Sequence, residues 1–145
     1  MAIRRQDALG YQIGLLSRLF DKALEEHLTS FQVSPGQFPA LVMLYEQDGL
    51  TQAELCKRIQ VEQPTMANTL NRMERDDLIR RVPDPQDKRR VHVYLTDQAK
   101  TFKQDLIDAA RAVPSQALVN FSTVDQDAFF RYLAKIIENL QDKEA

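Results

Sequence analysis

Residues 51–96 read TQAELCKRIQVEQPTMANTLNRMERDDLIRRVPDPQDKRRVHVYLT. Thr51-Gln52-Ala53-Glu54 has the form of a capping box, in which a hydroxyl accepts from the backbone three residues on and a carboxylate reaches back. It opens a short helix with Leu55 and Ile59 facing inward. Gln60-Val61-Glu62 makes a tight break, and Pro64 sits where a first helical turn accepts proline. The next helix runs to about Asp76. Met66, Leu70 and Met73, spaced four then three, form its inward face. Gln63, Thr65, Asn68, Thr69, Arg72 and Arg75 point outward. Leu78–Val82 and Val91–Leu95 each contain alternating apolar residues flanked by β-branched ones, which favours strands. Pro83 and Pro85 exclude a helix between them, so residues 78–96 form a β-hairpin with a long, basic, solvated tip.

Working outward, a first helix spans about 6–30, with Leu9, Ile13, Leu16, Phe20, Leu24 and Leu28 on one stripe. Leu15, Leu19 and Ala23 widen that stripe beyond what one neighbour would cover. The helix is therefore expected to be shared with a second subunit; the alternative is a central core helix. Ser34-Pro35-Gly36-Gln37 reads as a second capping box, opening a helix that buries Phe38, Leu41, Val42, Leu44 and Tyr45. Gly49 is suited to a left-handed position that closes it. Thr96 is expected to cap a fifth helix from Asp97 toward Asn120, with Phe102, Leu106, Ala109 and Val113 on one face, bent or interrupted at Pro114. Ser122 and Thr123 start a sixth, striped by Phe129, Phe130, Leu133, Ile136, Ile137 and Leu140; residues 141–145 are expected to fray.

The fold class is mainly α with a small β-hairpin wing. A winged helix–turn–helix lobe, 34–96, contains a helix–turn–helix at 51–76 and the wing at 78–96. The N- and C-terminal helices, 8–32 and 97–143, flank that lobe within a single domain of 145 residues.

Composition narrows the function. The apolar fraction of 43% and charged fraction of 28% are those of a globular protein. No run approaches the roughly 18 apolar residues of a membrane span, and Met1 to Gln6 is not followed by the apolar stretch of a secretory signal. Cytoplasmic location is the default. The single cysteine excludes an internal disulfide, and two histidines with it are too few for a Cys/His zinc site. No metal or other cofactor is expected. The net charge of −2 hides an uneven distribution, because residues 78–96 hold five basic against two acidic side chains. Attraction to phosphate is screened within about 8–10 Å, so this local excess outweighs the total.

The order of elements supplies the function. The B-DNA major groove is about 12 Å wide and accepts one α-helix, which a preceding helix braces across the backbone. The entering face must reach base edges and avoid acids. Gln63, Thr65, Asn68, Thr69 and Arg72 satisfy that, and Asn, Gln and Arg have bidentate partners among the bases. Arg75, Lys88, Arg89 and Arg90 would add affinity at phosphates or in the minor groove. Each feature alone also fits a solvated face or charged turn. The rival readings are a winged-helix protein–protein module without DNA binding and a small enzyme with Cys56 as nucleophile. The latter lacks a plausible base, and no catalytic residues are assigned. Tyr11, Arg18 and Tyr45 could line a ligand crevice, with Arg18 anchoring a carboxylate; His92 is expected to face solvent.

The motifs Leu50-Thr51-Gln52-Ala53-Glu54-Leu55, Pro64-Thr65, Arg72-Met73-Glu74, Asp84-Pro85-Gln86-Asp87-Lys88-Arg89 and Val93-Tyr94-Leu95-Thr96 give the chain a likeness to a known group. It resembles the MarR family of bacterial transcriptional regulators from about residue 8 to 140. That resemblance implies a homodimer whose first, fifth and sixth helices, within 8–32 and 97–143, interlock as a helical dimerisation region, with one recognition helix per half of a palindromic double-stranded operator. It implies DNA contacts from Gln63, Pro64, Thr65, Asn68, Thr69, Arg72, Arg75, Asp87, Lys88, Arg89 and Arg90, with Asp87 orienting Arg89 into the minor groove. Members usually repress, and many release DNA on binding a small aromatic or anionic effector. Two positions depart from the pattern. Cys56 stands where a small residue is common and is read as packing. Glu62 stands where a Ser or Thr cap is usual.

Overall fold

The computed structural model describes residues 2–141. Its α-helices are α1 (Leu9–Leu28), α2 (Phe38–Glu46), α3 (Gln52–Ile59), α4 (Gln63–Arg75), α5 (Asp97–Thr101), α6 (Lys103–Ala117) and α7 (Thr123–Leu140). Strands β1 (Ile79–Pro83) and β2 (Val91–Leu95) form a two-stranded antiparallel sheet between α4 and α5. Short 3-10 turns at Arg5–Ala8 and Thr29–Phe31 flank α1. The mainly-α architecture with one hairpin is therefore as expected; the expectation for 142–145 lies outside the described residues. The chain divides into two compact units, one through residue 111 and the other from 112 onward.

The core of the first unit joins Leu41 and Leu44 of α2, Leu55 of α3, Met66, Leu70 and Met73 of α4, Ile79, Val93 and Leu95 of the hairpin, and Leu106 of α6. Burying each such side chain contributes on the order of 1.5–3 kcal/mol. The turns are as tight as the sequence implies. Gln60 adopts a left-handed conformation after α3 (φ 60°), and Gln60 and Val61 both donate N–H to the Cys56 carbonyl. Gly49 closes the α2 segment at φ +79°, with the Tyr94 ring so close that a Cβ would sit 2.8 Å from it.

The hairpin pairs Ile79 with Leu95, Arg81 with Val93 and Pro83 with Val91. Its base is fastened to the loop after α2. Gly49 N–H donates to the Val93 carbonyl at 3.0 Å, Val93 N–H to the Leu50 carbonyl at 2.8 Å, and Leu95 N–H to Asp48 Oδ1 at 2.8 Å. Thr51 forms an isolated antiparallel bridge with His92. The wing is thus rooted in the helical lobe.

Five local features differ from the expectation. Ser34 does not cap α2 with its side chain, because the helix starts at Phe38 with Gln37 before it. Gln37 is buried and needs partners: its Oε1 accepts Ser34 N–H at 3.1 Å and its Nε2 donates to Asp76 Oδ2 at 3.0 Å. β1 begins at Ile79, since Leu78 N–H still donates to the Met73 carbonyl at the end of α4. The segment after Thr96 breaks at Phe102 into two helices; the Phe102 ring meets Phe31 edge-on at 5.4 Å. Pro114 does not interrupt α6. The helix continues to Ala117, and the Pro114 carbonyl still accepts Leu118 N–H at 3.0 Å. The break also moves the stripe, so that Ala110 is buried between Leu106 and Val113, with Ala109 only half-buried.

Thr96 caps α5 and Ser122 caps α7, accepting N–H from Ala99 at 3.2 Å and Asp125 at 3.1 Å. Among the described residues, the apolar stripes of α1 and α7 are largely exposed. Leu28 is the one buried residue of α1, while Leu9, Ile13, Leu16, Leu19 and Phe20 are exposed. On α7, no residue is buried, and Phe130, Leu133, Ile137 and Leu140 are exposed. The central-core alternative for α1 therefore does not hold.

Candidate nucleic-acid interface

Met66, Leu70 and Met73, each no more than 2% exposed, seat α4 on the core. That seating turns Gln63, Pro64, Thr65, Asn68, Arg72 and Arg75 to solvent. Thr69 lies at the flank and is half-buried. Glu62 occupies the N-cap position with extended backbone but makes no side-chain cap. The face from Gln63 to Met73 contains no acid; Glu74 is the first. Arg75 Nε pairs with Asp76 Oδ1 at 3.2 Å, so its charge is partly answered within the fold. The Asp76 carboxyl is held below the usual range, first by the Gln37 hydrogen bond and then by Arg75.

The hairpin tip is built around Asp84. Its Oδ1 accepts N–H from Gln86 at 2.8 Å and Asp87 at 3.1 Å, while its own N–H donates to the Arg90 carbonyl at 2.9 Å. Asp87 Oδ1 in turn accepts from Arg89 N–H at 3.0 Å and Arg89 Nε at 3.2 Å. Arg89 extends outward with 92% of its side chain exposed, and Lys88 and Arg90 are exposed beside it.

The two parts meet at a notch of about 180 Å³ lined by Thr51, Gln52, Ala53, Gln63, Arg89, Arg90 and Val91. It therefore gathers the first turns of α3 and α4 and the start of β2. Gln52 Nε2 donates to Gln63 Oε1 at 3.4 Å, and Arg90 Nη2 lies 4.0 Å from Glu54 Oε1. Two arginines, two amides and a pair of helix starts suit an anionic oxygen. Thr51, Gln52 and Ala53 were not among the expected contacts, because their capping pattern has a sufficient structural explanation.

His92 does not face solvent. Its side chain is 23% exposed, with Nδ1 3.0 Å from the Gly49 carbonyl oxygen and Nε2 2.7 Å from Asp84 Oδ2. This bond and the Gln86 N–H hold the Asp84 carboxyl at about 2, and Asp84 followed by Gly49 raises the His92 imidazolium above its ordinary value. Cys56 is buried. Desolvation, followed by the Glu62 charge, pushes its thiol up, away from the thiolate a nucleophile needs.

The three residues considered for a ligand crevice occupy different settings. Tyr11 and Arg18 are exposed on α1. Tyr45 is half-buried, its hydroxyl donates to the Ala99 carbonyl at 2.6 Å, and Lys103 Nζ sits 5.6 Å from its ring centre. Burial pushes the Tyr45 hydroxyl up to about 12.

The sequence profile of the MarR family matches residues 33–91. The HTH-type transcriptional repressor NicR of Pseudomonas putida is 29% identical over 88% of this chain and 84% of its own length. A probable transcriptional regulator from Pseudomonas aeruginosa has a crystal structure with TM-score 0.83 and 26% identity, covering 92% of this chain and all of that one. A cysteine variant of E. coli MarR, solved in complex with operator DNA, superposes with TM-score 0.82 at 23% identity over 89% and 93% of the two chains. With the profile on the helix–turn–helix and the first part of the wing, and the fold shared over most of the chain, this chain is similar to proteins of the MarR family.

Proposed function

We propose that this chain is a sequence-specific DNA-binding transcriptional regulator that works in the cytoplasm as a homodimeric repressor of a palindromic operator. One observation carries the reading: Gln63, which opens the acid-free stretch Gln63–Met73 of α4, and Arg89 and Arg90 of the wing line one notch. α4 enters the major groove, where Asn68 and Gln63 match adenine and Arg72 matches guanine. Thr65, Thr69 and Pro64 shape the contact. Arg89 enters the adjacent minor groove with Asp87 orienting it, and Arg75, Lys88 and Arg90 meet phosphates. Thr51 and Gln52 add backbone contacts. The operator complex of E. coli MarR and the repressor NicR support this over an interaction module or a Cys56 enzyme.

The exposed stripes of α1 and α7 support the dimer. A second copy would cover apolar surface that monomers rarely leave open. Two α4 helices would then lie about 34 Å apart, one duplex turn. A small effector that releases DNA must bind the DNA-bound form more weakly than the free form.

Selection of bound duplexes from a random pool tests the proposal. The expected product is an inverted repeat with half-site centres about one helical turn apart. If each subunit neutralises about four phosphates, the log–log salt slope is roughly −7. Failure to enrich any sequence, or enrichment of a motif without symmetry, overturns it.

A further inference from the structure

We propose that His92 is a positioning residue for the wing: as the imidazolium it links Gly49 to Asp84 and so holds the turn that presents Arg89 to DNA. The proposal rests on the DNA-binding reading above.

Both ring nitrogens of His92 face acceptors. The Gly49 carbonyl carries no proton, and Asp84 Oδ2 belongs to a carboxylate held at about 2. A neutral imidazole has one N–H and would set a lone pair against one of these oxygens; the imidazolium donates to both. The charged ring therefore fits both contacts at once. From there the links are continuous. Asp84 Oδ1 holds the N–H groups of Gln86 and Asp87, and Asp87 holds Arg89 through N–H and Nε. Gly49, His92, Asp84, Asp87 and Arg89 thus form a continuous path from the loop after α2 to an exposed cation of the tip.

The charged groups around the ring have been placed. Asp84 favours the imidazolium, and Arg90 at the start of the strand opposes it. Arg90 is itself 4.0 Å from Glu54 of α3. Asp48, beside Gly49, is engaged with the Gly49 and Leu95 N–H groups and lies 3.8 Å from Lys100 of α5. The Tyr94 ring is 6.3 Å away. The shortest contacts favour the proton. A raised histidine value means the link is complete below about 6.5 and is lost as pH rises through the higher folded value.

The test uses the full chain. The Cε1–H signal of His92, identified by its loss in His92→Gln, is titrated by NMR from pH 5 to 9 without DNA. Affinity for a selected duplex is measured over the same range at fixed ionic strength. The expected midpoint lies above 6.5, and affinity falls about fivefold or more between pH 6 and 9 with that midpoint. His92→Gln gives a flat profile over this range. Asp84→Asn lowers the His92 midpoint and moves the affinity change with it, which decides the matter should His92→Gln fail to fold by circular dichroism. A midpoint at or below 6.5, or an affinity profile that does not follow the His92 midpoint, overturns the proposal. Absence of duplex binding at every pH overturns the DNA-binding reading instead, and is told apart because the midpoint is read on the free protein.

Discussion

Arg81 and Glu74 are joined twice: Arg81 Nη2 donates to Glu74 Oε1 at 3.0 Å, and Arg81 N–H donates to Glu74 Oε2 at 3.2 Å. The same Nη2 also donates to Asn71 Oδ1 at 2.7 Å. The last turns of α4 and the first strand of the wing are therefore clamped together by side chains as well as by the shared core.

Glu74→Gln keeps the shape and removes the charge. The pair is partly solvated, so the expected cost is small, about 0.5–1 kcal/mol in urea unfolding near neutral pH. Arg81 holds the Glu74 carboxyl below its usual range. The stabilisation is therefore present above the ordinary glutamate value of about 4.3 and is lost as pH falls through the lower folded value. Between pH 6 and pH 3 the variant should lose less stability than the parent. Equal losses in both proteins would assign the clamp no electrostatic part.

Leu70 is fully buried under α4. Leu70→Ala should destabilise the fold by about 3 kcal/mol, within the range of roughly 2–5 for such truncations. Chemical denaturation measures it. A cost under about 1 kcal/mol would mean that α4 is not seated as described.

Arg89→Ala and Asn68→Ala should differ in kind. Loss of Arg89 is expected to weaken binding to every duplex and make the salt slope shallower by about 1 per wing. Loss of Asn68 is expected to cost roughly 1–3 kcal/mol at particular base pairs. Anisotropy titrations against single-base variants of the selected duplex separate the two. A uniform loss for Asn68→Ala would place base reading on another face of α4.

Leu16 of α1 and Ile137 of α7 are both exposed in the single chain. The parent should sediment as a dimer at micromolar concentration, and Leu16→Lys and Ile137→Lys should each shift it toward monomer. A parent that sediments as a monomer would remove the symmetric operator from the proposal.

Much of this was legible because it is local. The four-then-three spacing of Met66, Leu70 and Met73 fixes which side of α4 is buried, and Pro83 and Pro85 leave a hairpin as the natural course of the chain. What escaped the sequence is long-range. Gly49 and His92 lie 43 positions apart, and Gln37 and Asp76 lie 39 apart, so no short pattern joins them. The helix breaks at Phe102, whose ring partner Phe31 is far off in sequence, while Pro114, the stronger local signal, leaves its helix running. Thr51 and Gln52 were hidden by their own capping role, which gave no reason to look for a second.

The Asp87–Arg89 pair has an entropic consequence. A free arginine samples many rotamers, and ordering one at an interface costs about 0.5–1.5 kcal/mol. Arg89 already has Nε bound to Asp87 while almost all of its side chain stands in water. The remaining guanidinium edge is pre-organised before any encounter. In the proposed complex the neighbouring carboxylate, repelled by phosphates, would make the floor of a groove a better destination than the sugar–phosphate ridge.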